Sequence, residues 1–168
     1  MSSNIRGWAR HGKTDVDALS INGKPFSGNA ADLNIVAGQA AAGVKMPRSV
    51  VVPLAGGNDA AGGLGAWANP EPGPIVVSRV TVDITTIANA ACTLKAGSAA
   101  NKTTASANLI DTLDVRTSVI TASNISNPGT NGKALQRVAA GAAVTFSTAS
   151  GASAGLAGNA VIEYTPLT

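Results

Sequence analysis

Along Pro74–Thr86, PIVVSRVTVDITT, apolar and polar residues alternate over a longer run than anywhere else in the chain, with the period of two that marks a half-buried β-strand. The pattern places Val76, Ser78, Val80, Val82 and Ile84 on one, buried face. Ile75, Val77, Arg79, Thr81, Asp83 and Thr85 fall on the other, which turns polar after its first residues. A strand of about 12 residues is roughly twice the usual length, so its neighbours must pair along all of it. That requirement predicts an antiparallel sandwich with this stretch at its centre.

The remaining pattern fills in the partners. Ser49–Leu54, SVVVPL, reads as the first strand, with Pro53 tolerable only near a strand end or on an edge. Residues 55–73, AGGNDAAGGLGAWANPEPG, have no period and read as a long loop with Trp67 as its one aromatic anchor and its candidate ligand contact. Ala91–Ala96 alternates with Cys92, Leu94 and Ala96 inward. Asn108–Val115 fits neither period and is expected to form a short helical turn leading into a strand through Val119 and Ile120. The cluster NPGTNG at Asn127–Gly132 predicts a turn into Leu135–Val138. Ala143–Ser147, with Val144 and Phe146 facing opposite to Thr145 and Ser147, and Asn159–Thr165 supply the last strands. The count is about seven or eight strands, as expected of a sandwich.

Residues 1–48 show no sustained period of either kind. Asn22-Gly23 suits a type I′ turn and predicts a short hairpin across Leu19–Phe26, and Ala30–Ala42 allows one or two helical turns at most. The expected organisation is therefore an extended N-terminal arm, residues 1–48, followed by one β-sandwich domain, residues 49–168.

Composition changes this picture in two ways. Hydrophobic residues make up 45% of the 168, but aromatics only 3%, so the core is built from alanine and small aliphatics. Each buries little area at about 25 cal/mol per Å², which makes self-association a plausible source of extra stability. Charged residues are 12%, about half the usual share, which points to a surface partly covered by something else. The net charge of +3 is also localised: residues 1–48 hold Arg6, Arg10, Lys13, Lys24, Lys45 and Arg48 against Asp15, Asp17 and Asp32, and the remainder is balanced. No apolar leader and no run long enough for a membrane span is present, so the expectation is a soluble chain made in the cytoplasm.

Candidate chemistry is sparse. Gly7-Trp-Ala-Arg-His-Gly12-Lys13-Thr14 satisfies the phosphate-loop pattern, but the mechanism needs a buried strand before the first glycine and a long helix after the lysine. Only six residues, MSSNIR, precede it, too few and too polar for a buried strand, so it reads as a chance match. His11 is the only histidine and Cys92 the only cysteine, so neither a nucleophile–base pair nor a disulfide is expected, and Cys92 reads as a core residue. Asp111 and Asp114 are the one close carboxylate pair in the sandwich, more in keeping with a solvated face than with a metal site. The sequons at Asn101 and Asn124 carry no information without secretion. The reading is therefore non-enzymatic, with no cofactor and no metal. Trp8 among Arg6, Arg10 and Lys13 suits an anchoring protein contact. Base stacking would use the same residues, but the rest of the chain offers no aromatic platform, which disfavours nucleic acid.

The stretches VSRVTVDITTIANAACTLKAGSA, NLIDTLDVRT and NPGTNGKALQRVAAGAAVTFSTASGASAGLAGNAVIEYTPL, spanning residues 74–168, resemble the capsid decoration (cement or head-auxiliary) proteins of tailed bacteriophages. The likeness lies in Ala, Gly, Ser and Thr richness and strand order. It implies a jelly-roll-like antiparallel β-sandwich, with an immunoglobulin-like sandwich as the alternative. It also implies location on the virion capsid surface, contact with the major capsid protein lattice through an N-terminal arm, and a homotrimer; Arg6, Trp8, Arg10 and Lys13 are the arm's candidate contacts by their charge and the tryptophan among them. The competing function is a head-fibre or tail-tip module that grips a host-cell glycan through the 55–73 loop and Trp67.

Overall fold

The computed structural model describes residues 45–167 in full, together with the backbone of residues 20–21 and 24–25. The chain divides into two compact units, Met1–Ala42 and Gly43–Thr168. In the first, β1 (Ser20–Ile21) pairs antiparallel with β2 (Lys24–Pro25), Ile21 opposite Lys24. This is the two-residue hairpin register that Asn22-Gly23 predicts. The expected helical turns within Ala30–Ala42 lie outside the described residues.

The second unit is all β among its described residues. Its strands are β3 (Arg48–Ala55), β4 (Gly65–Ala68), β5 (Ile75–Thr86), β6 (Cys92–Ala99), β7 (Ile110–Asp114), β8 (Ile120–Ser123), β9 (Gln136–Val138), β10 (Ala143–Gly151) and β11 (Ala157–Pro166). They form two antiparallel sheets, one ordered β4-β10-β6-β7 and one ordered β3-β11-β5-β8, with β9 added along the other end of β5. The pairs are nested: β3 with β11, β4 with β10, β5 with β8, β6 with β7. The chain therefore runs as one long folded-back hairpin whose strand pairs are distributed between the two sheets. Side chains from the two inner faces form one core, with Phe146, Leu94, Ile162, Ile75 and Ile84 among its largest fully buried members.

β5 is central, as its pattern predicts, but its phase changes part-way. Glu163 stands opposite Arg79 and Tyr164 opposite Val77, so Ser78 is an extra residue, a β-bulge. The bulge puts Ile75 and Val77 on the same buried face as Val80, Val82 and Ile84, whereas an unbroken period of two had put Val76 and Ser78 there. Ser78 Oγ donates to the Glu163 carbonyl at 3.3 Å and holds the bulge in place.

Within Asn108–Val115, Ile110–Asp114 is a strand, and no helical turn forms. Thr112 has φ of 61° and is the extra residue between the pairs Leu94–Leu113 and Ala96–Ile110, so Ile110 and Leu113, three apart, both point inward. That spacing looks helical in sequence and arises from a second bulge. Residues 55–73 are likewise no continuous loop, because β4 forms within them and pairs with β10 from Ala143–Ala68 to Phe146–Gly65.

β10 is buried on both faces over Ala143–Ser147. Val144 and Phe146 enter the core, and Thr145 and Ser147 lie beneath the chain's own loops. Thr145 Oγ1 donates to the Thr104 carbonyl at 2.9 Å and Ser147 Oγ accepts from the Gly62 amide at 2.7 Å. The two covering loops meet at Gly62, where φ is 72° and a Cβ would lie 1.9 Å from the Lys102 carbonyl oxygen. Segments 56–64 and 100–107 thus cover the outer face of the four-stranded sheet where Thr145 and Ser147 lie.

Candidate functional site

The arm residues named by the sequence, Arg6, Trp8, Arg10 and Lys13, lie outside the described residues, as do His11 and the rest of the phosphate-loop match. The structure therefore brings together only the sandwich candidates.

Trp67 sits on β4 opposite Val144 and packs half-buried against the core. Its ring centroid is 4.9 Å from that of Tyr164, at 47°, a tilted aromatic pair that ties the two sheets together. Tyr164, on β11, directs its hydroxyl to Glu71 Oε1 at 3.4 Å, and Arg48, at the start of β3, bonds the same oxygen at 2.5 Å. The Glu71 side chain is 12% exposed and that of Arg48 48%. Burial, and then the Glu71 charge, raise the Tyr164 pKa, with Arg48 acting in the opposite sense. Asn69 fixes the turn that carries Glu71: its side-chain oxygen accepts the Glu71 amide, and its nitrogen donates to the Gly73 and Ala139 carbonyls, each at 3.0 Å. The arrangement is a rigid Trp–Tyr–Glu–Arg cluster that presents one half-exposed guanidinium at the end of the sandwich where β3 begins.

Asp111 and Asp114 flank an open groove of about 310 Å³ whose floor includes Leu113 and Ile120, with Asn127 and Gly129 on its walls. Asp111 accepts from Asn131 Nδ2 at 2.7 Å. Asp114 accepts from the Arg116 and Thr117 amides and the Thr117 hydroxyl, and these bonds hold its pKa below the usual carboxylate value. Both carboxylates thus serve turns at the two ends of β7. Among the described residues, no group of three or more His, Cys, Asp or Glu side chains is placed to hold a metal ion.

Cys92 is buried at the start of β6, and burial pushes its thiol pKa up, with the Asp59 and Asp114 charges adding to the effect. Sequence reasoning passed over Asp59. One of its oxygens accepts from Ser153 Oγ, from the Ser153 amide and from Thr148 Oγ1. Ser153, fully buried, also accepts from the Gly57 amide at 3.1 Å. Asp59 therefore clamps the 56–64 loop to the β10–β11 connection. Its only signal in the sequence is Asn58-Asp59 at a glycine-rich turn, which has no spacing that points to residue 153.

No protein-family model, no curated protein and no solved structure matches the chain.

Proposed function

We propose that the chain is a non-enzymatic structural protein of a bacteriophage virion that binds the outer capsid lattice and stabilises it. The observation that carries this reading is the nested pairing of β3–β11, β4–β10, β5–β8 and β6–β7. We read this order as a jelly roll, the architecture implied by the resemblance to decoration proteins. The polar groups of the described loops support the reading, since they are spent on one another, as in Asp59–Ser153 and Asn69–Glu71. Such loops make a rigid body suited to bracing a lattice. In this reading Arg6, Trp8, Arg10 and Lys13 are the lattice contacts, with the arm's net charge of +3 drawn to an acidic capsid surface.

Co-sedimentation with purified capsids tests it. The full chain should bind, binding should weaken with salt, and removal of residues 1–13 should reduce it while the sandwich stays folded. A chain that ignores capsids and binds a glycan array would support the fibre or tail-tip alternative instead.

A further inference from the structure

The two outer faces of the sandwich are unlike. Loops 56–64 and 100–107 close over the four-stranded sheet at Thr145 and Ser147, whereas the outer face of the five-stranded sheet leaves Val51 61% exposed and Pro53, Arg79, Asp83, Thr121 and Asn159 exposed beside it. Strand register orders this open face into rows. The middle row is Val51–Val161–Thr81–Ser123. On one side lies Pro53–Asn159–Asp83–Thr121, and on the other Ser49–Glu163–Arg79. The middle row is uncharged and short-chained, one flanking row carries Asp83, and the other carries Arg79, with Glu163 3.8 Å from its guanidinium.

That order is self-complementary. A twofold axis laid along the middle row in the plane of contact exchanges the two flanking rows. Asp83 of each copy then lies over Arg79 of the other, Glu163 lies over Asn159, and the middle-row residues meet their own counterparts. Two opposite-charge contacts thus flank an uncharged, mostly β-branched centre, the anatomy of a polar-rimmed interface. Strand spacing of about 4.8 Å and a rise of about 3.4 Å per residue, applied to the 8, 10, 12, 4 and 3 residues of β3, β11, β5, β8 and β9, give a projected area of roughly 600 Å². That is close to the roughly 800 Å² per partner of a stable interface. Extension of the sheet through the β3 edge is a poorer route, because Pro53 offers no amide there.

We propose that the outer face of the five-stranded sheet is an isologous contact that pairs two copies of this chain face to face, Asp83 of one on Arg79 of the other. The resemblance implied three copies. A self-complementary face joins them in pairs, so the assembled mass distinguishes the two.

Sedimentation velocity on the full chain up to high micromolar concentration should give an even-numbered oligomer. Arg79→Glu alone and Asp83→Arg alone each set like charges against one another and should weaken self-association by at least about tenfold. The double variant Arg79→Glu/Asp83→Arg should regain it. Should the charge variants not fold, Val51→Arg serves alone, since its site is exposed and on the axis it meets its own copy. It should dissociate the pair, whatever the capsid affinity of the chain. A monomeric or trimeric wild type, a dimer indifferent to Val51→Arg, or a double variant no better than the singles would overturn the proposal.

Discussion

The side-chain oxygen of Asn124 accepts the backbone amide of Val80 at 2.8 Å, and the Asn124 amide donates to the Val80 carbonyl at 3.1 Å. A side chain thus completes the pairing of β5 where β8 has ended and β9 has yet to begin. The Asn124 nitrogen fastens the approach to β9 as well, donating to the Lys133 and Ala134 carbonyls at 2.9 and 3.0 Å. Asn124 is 1% exposed, so its sequon is closed to modification in the folded chain. Asn124→Ala strands a buried amide and two carbonyls and should cost about 2–4 kcal/mol, given ~1–3 kcal/mol for each buried group left unsatisfied. Chemical denaturation measures it. A loss below about 0.5 kcal/mol, the size of an ordinary surface substitution, would mean that the gap between β8 and β9 contributes nothing.

Thr112 holds a left-handed φ of 61° in β7, at a cost of about 1–2 kcal/mol for a residue with a Cβ. Its side chain is exposed and bonded only to the neighbouring Asp111 at 3.2 Å. Thr112→Gly should therefore stabilise the sandwich by about 0.5–1 kcal/mol after glycine's own entropy cost. A destabilised variant would show that the Thr112 hydroxyl matters more than the backbone.

Gly129 presses on the same strand, with φ of 69° and a hypothetical Cβ only 2.1 Å from the Asp111 carbonyl oxygen. Backbone lies on the other side of that contact and cannot swing aside. Gly129→Ala should cost at least about 2 kcal/mol, combining left-handed strain with the clash, and should shift the thermal midpoint down. A midpoint within a degree or so of the wild type would show that the 127–132 turn relaxes freely.

The bulges at Ser78 and Thr112, two of four register shifts in the described ladders, mark where the sequence stops being readable. Alternation located β5, β6, β10 and β11, and it phased β5 correctly from Val80 to Ile84 but not at Val76 and Ser78, because a strand paired on both sides holds one phase only where the ladder is regular. At Ser78 and Thr112 one extra residue reverses the phase, and no residue type there announces it: Thr112 occupies a conformation that glycine or asparagine would have signalled. β4 was hidden for a related reason, since Gly65-Ala66-Trp67-Ala68 is too short and too small-chained to show a period, and only its pairing with β10 makes it a strand. The Trp67–Tyr164–Glu71–Arg48 cluster joins positions far apart in the chain: β3–β11 pairing sets Arg48 opposite Tyr164, and the packing of one sheet on the other brings Trp67 against Tyr164. Trp67 was legible as an anchor, but not as one facing inward.

Asp59 should make stability depend on acid pH. Bonds from the Ser153 hydroxyl, then the Ser153 amide and the Thr148 hydroxyl, depress its folded-state pKa below the unfolded value of 3.8. Stability from such a depressed carboxylate is fully present above the unfolded pKa and is lost as pH falls through the folded one. The thermal midpoint should thus decline below about pH 4, with a second contribution from Asp114, shifted in the same sense. Asp59→Asn should lower the midpoint at neutral pH and shrink its fall between neutral and acid. An unchanged acid limb in this variant would place the pH dependence elsewhere.

Cys92 offers a chemical measure of how the sandwich opens. Cys92 is 4% exposed on β6, which pairs on one side with β10 and on the other with β7. Burial raises its pKa, which leaves less of the reactive thiolate at neutral pH. Both effects predict that a thiol reagent labels the native chain only through opening of the sheet, with an opening free energy approaching that of global unfolding. The labelling rate should then rise with denaturant in parallel with the unfolding transition, and Asn124→Ala, which loosens the opposite sheet, should accelerate it in proportion to the stability lost. Rapid labelling without denaturant, at a rate unaffected by Asn124→Ala, would instead reveal local fraying at the start of β6, where Gly151 stands opposite Cys92 at the end of the β6–β10 ladder.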